Sequence, residues 1–167
     1  GSTFLFFAVA AAFEELLFRG YPFQVLVEWV GVWPATIGVS AVFAILHGQN
    51  PNVTPLALAN IFLAGVMLSL AYLRTLSLWF ATGVHTGWNW TMASLFDFPV
   101  SGLEFDTPLY DGVAVGPALW TGGAFGPEAG IAGTIVLVAA IYLLSNAPWF
   151  APARATLERR PLVADRL

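Results

Sequence analysis

The sequence predicts an all-α polytopic transmembrane helix bundle, and three observations carry that reading. Hydrophobic residues make up 58% of the chain and charged residues only 10%, against about 25% charged in an ordinary soluble domain. Apolar runs close to the roughly 20 residues that cross a bilayer recur along the sequence. Between them lie short stretches rich in charges, prolines and turn residues. Lysine is absent, so all six basic residues are arginines, and the net charge of −4 gives no reason to expect a nucleic-acid partner. With no cysteine, disulfides and thiolate metal ligands are excluded. The chain enters an apolar segment almost at Gly1, without the charged start or cleavage site of a signal peptide. The expectation is therefore part of a longer protein, with further helices upstream.

About five helices are expected here. The first apolar run goes from about Thr3 to Trp29, interrupted by Arg19-Gly20-Tyr21-Pro22. Pro22 lacks a backbone donor and clashes with the preceding turn, which predicts a kink near Phe18. The second run goes from Pro34 to His47, and Gln49 to Pro55 reads as a turn. The third goes from about Leu56 to Leu73 and stops at Arg74; the fourth goes from about Leu76 to Phe96. Phe98 to Glu128 is rich in Gly and Pro and holds Glu104, Asp106, Asp111 and Glu128, so it reads as a long loop outside the bilayer core. Ala129 to Leu144 is the fifth run. Residues 1–150 thus form a transmembrane core and 151–167 a polar tail. If all five runs cross, Arg74 and the tail arginines (Arg154, Arg159, Arg160, Arg166) share one side and the acidic loop takes the other. The positive-inside rule makes the arginine side, with the C-terminus, cytoplasmic.

Six polar residues inside the apolar runs are the candidates for chemistry: Glu14, Glu15, Arg19, His47, His85 and Asn89. Ionisable groups at membrane depth are costly, which makes each a functional candidate. Glu14 and Glu15 lie about 17 residues before the turn near Gly31, and His47 about 15 after it, so at 1.5 Å per residue all are roughly 20–25 Å from that turn. His85 and Asn89 fall roughly 13 and 20 Å into the fourth run. Shared depth follows from this; helix adjacency does not. Glu15 and Arg19 form an i,i+4 pair in the favourable order, and His85 and Asn89 share a helix face by the same spacing. Adjacent Glu14 and Glu15 point about 100° apart. One can face a site while the other pairs with Arg19. A carboxylate and a neutral imidazole can activate water, and a second His with an Asn can donate to an oxyanion. Two His and a carboxylate would equally suffice for zinc, so the metal question stays open. Taken singly, each residue also has a structural reading: a buried ion pair, a hydrogen-bonded packing histidine, or an interhelical amide.

Taken in order, the residues resemble a known family. Glu14-Glu15-Leu16-Leu17-Phe18-Arg19 resembles an EExxxR motif, Phe43-Ala44-Ile45-Leu46-His47 an FxxxH motif, and His85-Thr86-Gly87-Trp88-Asn89 an HxxxN motif. These are the motifs, in order, of the CPBP intramembrane proteases, the CAAX protease and bacteriocin-processing group also called Abi. The stretch from Thr121 to Glu128 is also similar to a downstream segment of many bacterial members. The resemblance implies an intramembrane endopeptidase in which Glu14 and His47 activate water, His85 and Asn89 stabilise the oxyanion, and Glu15 and Arg19 support them. If a metal takes part, its ligands would be Glu14, His47 and His85, with zinc the candidate; a glutamate-type mechanism without metal uses the same residues and is the preferred expectation. The implied partners are membrane lipid and a peptide or protein substrate at the membrane, and the implied location is a bacterial plasma membrane. A non-catalytic immunity or scaffold protein of the same fold is the main alternative. A transporter or channel is another, though it calls for a route of polar residues where this sequence has one compact layer.

Overall fold

The computed structural model describes residues 1–106, 111–152, 154, 163 and 164. Among them the regular structure is helical: α1 (Ser2–Arg19), α2 (Tyr21–Val30), α3 (Val32–Leu46), α4 (Pro55–Thr75), α5 (Leu78–Trp90), the short α6 (Ala118–Thr121) and α7 (Ile131–Asn146). The five apolar runs account for all of these except α6. The helix starts follow ordinary capping chemistry. Thr54 Oγ1 accepts the Ala57 N–H at 3.1 Å with Pro55 in the first turn of α4, and Ser77 Oγ accepts the Phe80 N–H at 3.2 Å at the start of α5. At its other end α4 closes on Leu76 in the left-handed region.

The first run departs from expectation. It does not kink near Phe18 but breaks into two helices at Gly20. A Cβ at Gly20 would run into the Leu16 carbonyl oxygen, so a glycine is needed where α1 ends, and Pro22 then sits in the first turn of α2. The fourth run keeps its predicted length but changes winding, passing from α5 into one π-type turn over Thr91–Leu95.

α4 is the central helix and packs against α3, α5 and α7; α1 packs mainly on α5, and α2 on α3. The α3–α4 approach is close. A Cβ added at Gly65 would stand 2.9 Å from the Ser40 Cβ, the small-residue contact by which helices associate in lipid. The main core gathers Phe23, Val27, Leu68, Leu73 and Leu137, and Val163 joins it. The outer face of α1 leaves Leu5, Val9, Phe13 and Leu16 more than half exposed. So much apolar surface suits a lipid solvent and not water. Val32–Gln49 and Pro55–Thr75 are helical stretches long and apolar enough to cross a bilayer, with mean hydropathy 1.2 and 2.1.

The segment from Phe98 to Glu128, expected as a solvated loop, packs back in part: Val100, Phe125 and Glu128 are buried. Of the predicted polar tail, Arg159, Arg160 and Arg166 lie outside the described residues.

Candidate active site

α1 delivers Glu14, Glu15 and Arg19, α3 ends at His47, and α5 carries His85 and Asn89. The packing of α1 on α5 makes the first and third of these groups neighbours. Glu15 and Arg19 are both fully buried, and Arg19 Nη1 donates to Glu15 Oε1 at 3.2 Å one helical turn back. Arg19 is anchored to α4 as well. Its Nη2 donates to the Gly65 carbonyl at 2.9 Å and its Nε to Ser69 Oγ at 3.4 Å, while its guanidinium lies 4.9 Å from the Phe43 ring centroid. Ser69 and Gly65 carried no signal in the sequence, because nothing in a run of apolar spacing says which backbone carbonyl will meet a distant arginine.

The same Glu15 oxygen also meets His85, whose Nδ1 lies 2.9 Å away. A carboxylate only accepts, so Nδ1 carries the proton and donates. Nε2 of His85 then points toward Glu14, whose Oε2 is 4.0 Å from it. His47 is oriented in the same way: its Nδ1 is 2.7 Å from the Phe43 carbonyl, an acceptor, which leaves Nε2 as the free ring nitrogen. The phenyl ring of Phe43 packs against His47 with centroids 4.5 Å apart. Two imidazoles thus have one nitrogen anchored by the protein and the other uncommitted.

Glu14 differs from its neighbour. Its side chain is 32% exposed where that of Glu15 is fully buried, and it makes no hydrogen bond, although the Oε2 of both residues is buried without a partner among the described residues. Asn89 makes no side-chain hydrogen bond there either. Glu14, His47, His85 and Asn89 line one open cleft of about 390 Å³, walled by Phe7 and Phe13 on α1 and by Val100 and Leu103. Behind it, His47, His85 and Asn89 also border a small cavity of about 30 Å³ together with Trp88, Ser101 and Glu128, enough room for a water among polar partners.

Glu128 is the polar residue whose place the sequence reading missed. It was grouped with the loop acids, yet it is buried beside the imidazoles, where its carboxylate accepts from the Trp88 indole at 3.1 Å. The signal that could have found it is its position just ahead of the fifth apolar run. A carboxylate there either begins the run in solvent or is drawn in by donors.

The donor types suit a metal: two imidazole Nε2 atoms and a carboxylate, with both Nδ1 positions held by the protein as in metal-ligating histidines. The spacing does not. Among the described residues no three His, Asp or Glu side chains gather closely enough to hold an ion.

A family model described as Type II CAAX prenyl endopeptidase Rce1-like matches residues 1–91. That span is more than half of the chain and contains all three motifs. No curated protein and no solved structure matches the chain. With its helical fold and its motif-bearing half both accounted for, the chain belongs to the Rce1-like family of type II CAAX prenyl endopeptidases, membrane-embedded proteases.

Proposed function

We propose that this chain is an intramembrane endopeptidase that hydrolyses peptide bonds with a water activated by Glu14 and His47, and that His85 and Asn89 stabilise the resulting oxyanion. The observation that carries the reading is the cleft shared by these four side chains, in which the Glu14 side chain is 32% exposed and makes no hydrogen bond to the described residues. A carboxylate in that state can bind a water and take its proton. His47, with Nδ1–H given to the Phe43 carbonyl, offers Nε2 as a second acceptor for the same water. As the water oxygen attacks the scissile carbonyl, negative charge develops on the carbonyl oxygen. The Asn89 amide then has an uncommitted N–H to give it. His85 can donate from Nε2 when both ring nitrogens carry protons, with Nδ1–H still held by Glu15. The proton collected by Glu14 is returned to the leaving amine, which completes the hydrolysis.

Asn89→Ala should lower kcat by about 10²–10³ while KM changes little, since an oxyanion donor acts mainly in the transition state. Steady-state kinetics on any peptide that the wild type cleaves provide the check. A rise in KM at constant kcat would make Asn89 a ground-state binding group instead. The metal-free form of the mechanism also predicts that activity survives exhaustive chelation. Stoichiometric zinc that leaves with activity, and restores it on return, would convert the same residues into a metal site.

The orientation belongs to the same proposal. Arg74 donates to the Ala147 carbonyl at 3.0 Å, tying the end of α4 to the end of α7, so these two helix ends share a side. The positive-inside rule, applied to Arg74 and to the arginines that follow α7 in the sequence, makes that side the cytoplasmic one. A reporter that is active only in the cytoplasm, fused after Leu167, should be active; activity confined to a reporter of the opposite compartment would reverse the topology. By the motif resemblance, the membrane would be a bacterial plasma membrane, and the partners lipid and a membrane-proximal peptide.

A further inference from the structure

Glu128 is a buried carboxylate that the hydrolytic mechanism leaves unused. Its Oε1 accepts the Trp88 indole N–H at 3.1 Å, and its Oε2 accepts both the Ser101 N–H at 2.6 Å and the Ser101 hydroxyl at 2.8 Å. The backbone beneath it is fixed. Asn60 of α4 donates to the carbonyls of Glu128 and Gly130 at 2.8 and 3.0 Å, and accepts from Thr134 of α7 at 2.7 Å. Glu128 is therefore a rigid anchor, and what it holds is Ser101.

Ser101 sits in an unusual turn. Val100 and Leu103 exchange backbone hydrogen bonds at 2.9 and 3.0 Å, and the two residues between them have φ of +51° and +82°. Positive φ at both central positions is the pattern of a type I′ turn, which favours Asn and Gly. Gly102 meets that demand. Ser101 does not, and a non-glycine residue in the left-handed region persists only where its surroundings hold it there. Three contacts do so: the Glu128 carboxylate, the Asn50 amide donating to the Ser101 carbonyl at 3.0 Å, and the Gly102 N–H donating to the Phe125 carbonyl at 2.9 Å. The turn is part of the cleft itself, since Val100, Ser101 and Leu103 line it together with Glu14 and His47. Trp88, the other ligand of Glu128, immediately precedes Asn89 on α5.

We propose that Glu128 is a positioning residue for substrate binding, a latch that ties the Val100–Leu103 turn to α5 beside Asn89 and so fixes the wall against which the peptide is bound. The inference rests on the endopeptidase reading for its substrate. Its chemistry requires a carboxylate. Three donors converge on two oxygens that only accept, and a glutamine, turned either way, would set its own NH₂ against at least one of them.

The test combines amide hydrogen exchange without substrate and steady-state kinetics on a peptide that wild-type protein cleaves, both in detergent micelles. Glu128→Gln is expected to speed exchange of the Ser101 amide by about tenfold or more. It should raise KM about tenfold while kcat stays within about threefold. Ser101→Ala, which removes only the hydroxyl arm, should give a smaller rise, and the double variant should be no worse than Glu128→Gln alone, because both break one latch. Glu128→Asp, which keeps the charge on a shorter arm, should fall between wild type and glutamine, and serves where the glutamine variant does not fold. The latch is overturned by unchanged exchange at Ser101, by a fall in kcat at constant KM, or by additive effects in the double variant. Exchange is read without substrate, so a wild type that cleaves no peptide would sink the endopeptidase reading while exchange still decided the latch.

Discussion

Glu14→Gln is expected to abolish hydrolysis, lowering kcat by about 10²–10⁴ or more, the range typical of a general base, while the protein folds as before. Glutamine fills nearly the same volume but cannot take a proton from water. The charge it removes supports the buried Arg19 less than that of Glu15 does. Glu14 Oε2 has no hydrogen-bond partner among the described residues, and the side chain is 32% exposed toward the cleft. Across from it, His85 Nε2 stands 4.0 Å away and has its other nitrogen held by Glu15. Peptide cleavage and thermal unfolding measured on one preparation separate the two effects. Activity retained within a few-fold of wild type would remove Glu14 from the mechanism.

Glu15→Gln is expected to act in the opposite order, on stability first. Glu15 and Arg19 are both fully buried, and Glu15 Oε1 accepts from both Arg19 and His85. A glutamine oxygen could still accept these bonds, but the negative charge opposite a buried guanidinium would be gone. Arginine cannot shed its proton to escape. Removing one member of a buried pair costs about 3–5 kcal/mol, a large part of the roughly 5–15 kcal/mol that holds an ordinary domain together. Arg19 would remain bonded to Gly65 and Ser69, which keeps α1 attached to α4, so the variant should fold at reduced temperature. What folds should be slower by about 10–100-fold, because His85 loses the negative charge that supports its doubly protonated, oxyanion-donating form. Denaturant unfolding in micelles gives the first number and kinetics on the folded fraction the second. A fully stable, inactive Glu15→Gln beside an active Glu14→Gln would exchange the roles of the two glutamates.

The helices were legible in the sequence because lipid leaves the backbone few alternatives, and hydropathy marks where each one runs. The i,i+4 spacing of Glu15 with Arg19 correctly gave an ion pair, and that of His85 with Asn89 a shared face on the cleft. Three features were hidden for physical reasons. The break at Gly20 depends on a clash with one carbonyl oxygen, that of Leu16, and hydropathy does not register single-atom sterics. The Glu15–His85 bond depends on α1 lying against α5, and depth along two helices says nothing about whether they touch. Glu128 reads as a loop acid by composition. It is buried because Trp88 and Ser101, 40 and 27 residues away, supply its donors. In the last two cases the missing information was tertiary; at Gly20 it was the local backbone geometry of one helical turn.

The central claim is that this chain's own cleft adds water to a peptide bond through Glu14. Purified protein in micelles, incubated in ¹⁸O-labelled water with a mixed library of membrane-binding peptides that includes prenylated ones, tests it most directly by mass spectrometry of the products. The account predicts that wild-type protein releases fragments whose new C-terminal carboxylate carries one solvent oxygen, and that Glu14→Gln, folded to the same extent, releases none above background. Equal labelled product from both proteins, or no cleavage of any library member by folded wild type, would contradict it.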